Sequence, residues 1–319
     1  LYACWVPRLG WSGAVWPSIF HAVSAFCNAG FSTFSDSLMG FQTNLPLLAV
    51  VMLLVVVGGI GFLTLEELSL WWRSQPERRS DAPRRRFRLS THSQLVLLTT
   101  AGLVVAGGVA FTLIEWRHAL ADLPMGARLV NGLFASVTPR TAGFNTIDYG
   151  TAHPSTNVLT IILMTIGGSP GSTAGGIKTT TFALLGLVAF SRLRGLPTTN
   201  VFGRTLPETT VRRAIGLFVL AVGLMTAAVL VLTLTELPGP LASAAPGTDV
   251  FAVLFEAVSA FNTAGLSMGA TNELSTAGRW TTVAAMFIGR VGPLTLAAAL
   301  ARESSGGDFR YAYEDVMVG

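Results

Sequence analysis

The tripeptide Asn28-Ala29-Gly30 returns as Thr141-Ala142-Gly143 and again as Thr263-Ala264-Gly265, followed each time by a large apolar residue, Phe31, Phe144 or Leu266. The longer segments are FHAVSAFCNAGFS at 20–32, FASVTPRTAGFN at 134–145 and FEAVSAFNTAGLS at 255–267. No carboxylate stands at these apices, so any chemistry there belongs to the backbone. Glycine admits positive φ and close approach of another chain, which lets backbone oxygens turn toward one axis. A ring of carbonyls replaces the hydration shell of a monovalent cation, and the negative ends of half-helices aimed at the same cavity favour positive charge further.

A second run with unusual chemistry is Gly167, Gly168, Ser169, Pro170, Gly171, Ser172, Thr173, Ala174, Gly175, Gly176, Ile177, Lys178. Five glycines and a proline lower helix propensity sharply, and the hydroxyls supply local hydrogen bonds, so a break is expected inside the apolar stretch Val158–Phe190. The run superficially resembles a nucleotide-binding P-loop, but Ile177 separates Gly176 from Lys178 and no strand precedes it, which excludes that reading. Lys178 and Arg290 are charges where charge is expensive, roughly 2.5 to 3.5 kcal/mol at a bilayer centre. Beside a cation path each acts as a barrier or gate rather than as a ligand. His21, His92, His118 and His153 are scattered, and no His-Glu metal spacing or paired carboxylates occur, so neither a metal centre nor an enzyme is expected. Asp249 is read as a helix N-terminal charge and Glu256 as a pore-entrance residue. Cys4 and Cys27 lack a disulfide framework.

The elements that must position these residues are membrane helices. Hydrophobic residues make up 51% of the chain and charged ones 12%, with a mean hydropathy of +0.57; lipid is the natural solvent for such a composition. Leu45–Leu65, Leu95–Ile114 and Ile215–Thr235 are uncharged and long enough to span, Val158–Phe190 is interrupted, and Trp280–Leu300 carries only Arg290. The basic clusters within Arg73–Arg88 and Arg192–Arg213 lie between spans and belong on the cytoplasmic side; retention explains them without nucleic acid. All three repeated segments then fall outside, each beginning with a stretch too short to span: Gly13–Phe26, Ala127–Thr138 and Asp249–Phe261. The expected pattern is helix, re-entrant half-helix, loop, helix. Non-helical backbone at membrane depth is tolerated where it faces a water- or ion-filled cavity. A secondary transporter coupled to sodium or protons also uses broken helices, but these repeats share one direction and show no membrane-embedded carboxylate for proton coupling.

VSAFCNAGFS, SVTPRTAGFNT, IGGSPGSTAGGIKTTTF and FIGRVGPLTL together resemble the pore subunits of the Trk/Ktr/HKT superfamily of potassium transporters over essentially the entire chain. The resemblance implies an all-α integral membrane protein with tandem helix, pore-helix, filter-loop, helix repeats around a central pore. Three of an expected four repeats are present: 1–92 with an incomplete outer helix, 93–205 with a broken inner helix, and 206–319 with a cytoplasmic tail. It implies potassium uptake, with K+ at the backbone carbonyls of Asn28–Phe31, Thr141–Phe144 and Thr263–Leu266, a gating loop at Gly167–Gly176 with Lys178, and Arg290 as a pore barrier. It implies a multi-pass protein of the cell membrane, a homodimer, and a separate cytoplasmic RCK-type regulator as the only nucleotide binder, with no cofactor in this chain. Potassium against sodium stays open, because the filter of the first repeat is expected to precede Leu1.

Overall fold

The computed structural model describes residues 1–74, 88–196, 198–237 and 248–291. Among these residues the chain forms eleven α-helices: α1 (Tyr2–Gly13), α2 (Val15–Phe26), α3 (Leu45–Ile60), α4 (Phe62–Ser74), α5 (Thr91–Glu115), α6 (Met125–Val137), α7 (Pro154–Thr165), α8 (Thr179–Leu193), α9 (Glu208–Glu236), α10 (Thr248–Phe261) and α11 (Thr276–Val291). A hairpin of two two-residue strands, β1 (Asn200–Val201) with β2 (Arg204–Thr205), lies between α8 and α9. Arg78, Arg79, Arg84, Arg85 and Arg86, the side chain of Asp249, the end of the FIGRVGPLTL run and the tail Phe309–Gly319 lie outside the described residues.

Local sequence accounts for the boundaries. Asn44 caps α3 by accepting from the Leu47 N–H at 3.3 Å, and Ser90 caps α5 by accepting from Ser93 at 3.2 Å, which satisfies donors a helix start leaves open. Pro154 opens α7, where a missing N–H costs nothing. α5 and α9 are long and apolar enough to cross a bilayer, and only 11% of the apolar window of α9 is buried within the chain. Its Val219, Leu230 and Leu234 stay exposed to the non-aqueous surroundings that such a surface requires. The short helices α2, α6 and α10 coincide with the three expected half-helices.

The expectation of one uninterrupted span from Leu45 to Leu65 is corrected. The helix ends at Ile60, Gly61 adopts φ 92° and ψ 146°, and α4 departs at 103°. A Cβ on Gly61 would stand 2.6 Å from the carbonyl oxygen of Pro170, and the Phe62 N–H donates to the Gly171 carbonyl at 3.1 Å. The helix therefore turns where it meets the glycine-rich loop, exchanging its own ladder for a bond to that loop.

Each short helix packs inside its own unit: α2 on α3, α6 on α5, and α10 on both α9 and α11. Each later one also meets the inner helix of the unit before it, α6 against α3 and α10 against α7. Apolar cores form at these junctions, one joining Trp5, Leu47, Val51 and Val55 to Phe134 and Phe144, another joining Tyr149 and Met164 to Phe255 and Leu266. Two buried carboxylates fix the inner helices. Glu115 at the end of α5 accepts from the His153 N–H (3.0 Å) and the Thr156 hydroxyl at the start of α7; Glu236 at the end of α9 accepts from the N–H (2.9 Å) and hydroxyl of Ser275 at the start of α11.

Candidate functional site

The helices α2 and α10 end in the same turn. The Asn28 N–H donates to Ala25 (3.2 Å) and the Ala29 N–H to Ser24 (2.8 Å), while Thr263 donates to Ala260 (3.0 Å) and Ala264 to Ser259 (2.8 Å). This Schellman pairing requires a left-handed residue at the turn, supplied by Asn28 at φ 50° and Thr263 at φ 53°; after α6, Thr141 takes φ 70°. A β-branched residue there stores strain of order 1–3 kcal/mol, which the surrounding fold must impose. Two positions on, Gly30, Gly143 and Gly265 are left-handed again at φ 74°, 80° and 79°. Alternating handedness gathers successive N–H groups on one side of the backbone and leaves the carbonyl oxygens on the other.

The three loops meet at their glycines. A Cβ on Gly30 would lie 2.5 Å from the Ala142 carbonyl oxygen and 3.0 Å from the Gly143 Cα. One on Gly143 would lie 2.8 Å from the Ala264 oxygen, 3.2 Å from the Gly30 Cα and 3.3 Å from the Gly265 Cα. On Gly265 its only neighbour within contact among the described residues would be the Gly143 Cα at 3.4 Å, so Gly143 stands between the other two.

Hydroxyls that the sequence reading did not single out hold the loops from behind. Ser24 donates to the Phe31 carbonyl (2.8 Å), Ser259 to the Leu266 carbonyl (2.6 Å), and Thr138 to the Phe144 carbonyl. His21 Nε2 pairs with the Ser32 hydroxyl at 2.9 Å, and Glu256, in the same register, accepts from the Ser267 hydroxyl, the Met268 N–H (3.2 Å) and the Thr271 hydroxyl (2.7 Å). Glu256 is 5% exposed, and both its oxygens are committed to anchoring the segment after the third loop. The signal lay in the alignment of the copies, where Ser24 matches Ser259 and His21 matches Glu256.

The glycine-rich run closes on itself between α7 and α8. Ile166 and Ile177 form a parallel bridge, Gly167 donates to Ile177 (2.8 Å), and Thr179 donates to Gly168 (3.0 Å). Gly171 and Gly176 take φ 70° and 67°. Outside its own neck the loop binds α3, with Ser169 donating to the Gly59 carbonyl (3.0 Å) and Thr173 to the Gly58 carbonyl (3.3 Å). It also reaches the filter-like loops. Asn28 Nδ2 donates to Thr173 Oγ1 at 2.8 Å, a Cβ on Gly175 would fall 2.1 Å from Thr263 Oγ1, and one on Gly176 would fall 2.8 Å from Asn262 Oδ1. Both expensive cations end on this loop: Lys178 donates to the Ala174 carbonyl at 2.8 Å and Arg290 to the Thr173 carbonyl at 2.6 Å. The residues picked from sequence thus come together at one place. Among the described residues no three His, Cys, Asp or Glu side chains gather as a metal site, and Cys4 and Cys27 are free.

The chain is 38% identical over 325 residues to the potassium/sodium uptake protein NtpJ of Enterococcus hirae, covering 100% of this chain and 67% of that protein. It is 36% identical over 317 residues to the Ktr system potassium uptake protein B of Bacillus subtilis, covering 98% and 66%. Among solved structures it superposes on the potassium transporter TrkH of Vibrio parahaemolyticus with a TM-score of 0.73 at 20% identity, over 94% of this chain and 60% of that one, a likeness of fold. The chain spans about two thirds of the length of these relatives. Residues 9–308 match the family described as TrkH, cation transport protein, and the chain belongs to that family.

Proposed function

We propose that this chain forms most of a channel-like path for potassium uptake across the cell membrane. The observation that carries the reading is the meeting of Gly30, Gly143 and Gly265 in loops that alternate left-handed and ordinary backbone, with no charged side chain at the apices. Carbonyl oxygens of Asn28–Phe31, Thr141–Phe144 and Thr263–Leu266 would hold the ion, and neutral oxygen rings suit a monovalent cation. The relatives are named as uptake proteins for potassium, or for potassium and sodium. The loop Gly167–Gly176, with Lys178 and Arg290 bonded to its carbonyls, serves as the gate beneath them.

The units 1–92, 93–205 and 206–319 act as consecutive parts of one pore whose remaining part is a fourth such unit. The protein is multi-pass, pairs as a homodimer, and takes any nucleotide control from a separate cytoplasmic RCK-type regulator; it works as a transporter, not an enzyme.

The test is growth of a potassium-uptake-deficient bacterium at limiting potassium, expressing the full-length protein or its Gly143→Ala variant. Rescue by the first and not by the second, at equal membrane abundance, supports the reading. Rescue by both removes Gly143 from the filter, and sodium rather than potassium uptake in flux measurements would replace the substrate.

A further inference from the structure

The residue before the left-handed position of each filter-like loop is Cys27, Arg140 or Asn262. Cys27 and Asn262 show that the turn itself closes without a cation at that place. Arg140 is nevertheless 7% exposed, and an arginine stays protonated in a protein.

Its surroundings do not match its charge. Nη2 reaches the Thr100 hydroxyl of α5 only at 3.4 Å, beyond the usual range, and among the described residues Nε has no acceptor. Arg212 with Glu208 forms the only ion pair among the described residues, so no carboxylate there neutralises Arg140. The negative end of α6 offsets about half a charge at most and gives Nε no acceptor. A buried charge left without a partner is among the costlier features a fold can carry.

The space beside the guanidinium is a small cavity. Its walls are Val55, Val56 and Gly59 of α3, Val137 of α6, Gly168 of the glycine-rich loop, and Arg140 itself. It has room for about one water-sized sphere. A water would fill that space and leave the charge unopposed, while phosphate or a lipid headgroup is too large to enter. We infer that the cavity holds a monatomic anion, a halide, paired with Arg140. The site goes beyond the cation path proposed above and does not depend on it.

Position gives the halide a consequence. Arg140 immediately precedes Thr141 of the second loop, and two wall residues hold the glycine-rich loop: Ser169 donates to the Gly59 carbonyl (3.0 Å) and Thr179 to the Gly168 carbonyl (3.0 Å). A halide there cancels a positive charge beside the proposed path, so a cation in the path and the halide favour each other's binding. That step rests on the proposed function.

The test uses the full-length protein. Crystals grown with bromide in place of chloride should show an anomalous peak in contact with the Arg140 guanidinium; an empty or water-filled cavity overturns the site. In detergent, chloride in place of gluconate at constant ionic strength should raise the thermal midpoint by about 3 °C, and Arg140→Gln should remove that difference. A difference absent from wild type, or persisting unchanged in Arg140→Gln, overturns the site, and a bromide peak without it marks an adventitious ion only. Should Arg140→Gln fail to fold, the bromide peak and the wild-type difference decide. In proteoliposomes the half-saturating potassium concentration should be about fivefold higher in gluconate than in chloride. Equal half-saturation overturns the coupling and not the site. A protein that moves no potassium overturns the proposed function instead, and the bromide peak still decides the anion.

Discussion

The three glycines proposed for the filter share one backbone conformation and, among the described residues, differ in what surrounds them. Each takes φ between 74° and 80°, so an alanine at any of them costs roughly 1–2 kcal/mol through its Cβ. At Gly30 and Gly143 the Cβ would also stand 2.5 and 2.8 Å from backbone oxygens of the next loop, an overlap that no rotamer relieves; at Gly265 the nearest atom among the described residues is at 3.4 Å. Gly30→Ala and Gly143→Ala should therefore abolish uptake by the full-length protein. Tracer fluxes at matched expression check this, and uptake retained by either variant would mean that the loops yield to the added Cβ. The glycines were legible in the sequence because they recur in register. The handedness of Asn28, Thr141 and Thr263 was not, since threonine disfavours positive φ and only the turn closing each short helix, together with the packed loops, imposes it.

At the scale of elements, apolar length and glycine content foretold the short helices, the two long spans and the break before Lys178, because each follows from composition within one segment. The bend at Gly61 escaped, since its cause is the Pro170–Gly171 backbone more than a hundred residues away. The carboxylate caps escaped for the same reason, although Glu115 and Glu236 each end an uncharged span at nearly the same spacing before Gly143 and Gly265. Glu236 caps α11, the helix that carries Arg290, and a Cβ on Gly278 would sit 2.2 Å from its Oε1. Glu236→Ala should lower stability by about 1.5–3 kcal/mol, the usual worth of hydrogen bonds to a charged group, and Gly278→Ala by less, because a flexible carboxylate end gives way. The two changes should be non-additive: with Glu236 already removed, Gly278→Ala meets no clash. Thermal unfolding of the four proteins in one detergent measures the coupling, and simple additivity would mean that the carboxylate does not pack against Gly278.

Over the whole molecule the loop proposed as the gate ties together elements far apart in the chain. From α7 and α8 it binds α3 through Gly58 and Gly59, the first filter-like loop through Asn28, and α11 through Arg290, and its Gly175 packs against Thr263 of the third loop. A loop bonded to so many parts moves only when several bonds break together, so the gate proposed above would have two discrete positions rather than graded ones. Arg290 is the contact whose loss disturbs the rest least, because among the described residues it bonds the loop at the Thr173 carbonyl alone, and in the proposed function its charge also faces the ion path. Arg290→Ala removes both the bond and the repulsion, and uptake through an otherwise intact filter should rise severalfold, with selectivity unchanged. Arg290→Lys keeps the charge and one donor on a chain of similar reach, and should remain close to wild type. Rubidium flux into liposomes containing each variant reads the opening directly. Should both variants conduct like wild type, the loop is held shut without Arg290, and its other bonds, to α3 and to Asn28, must carry the closure; should Arg290→Lys conduct as freely as Arg290→Ala, the guanidinium bond rather than the charge is what keeps the path closed.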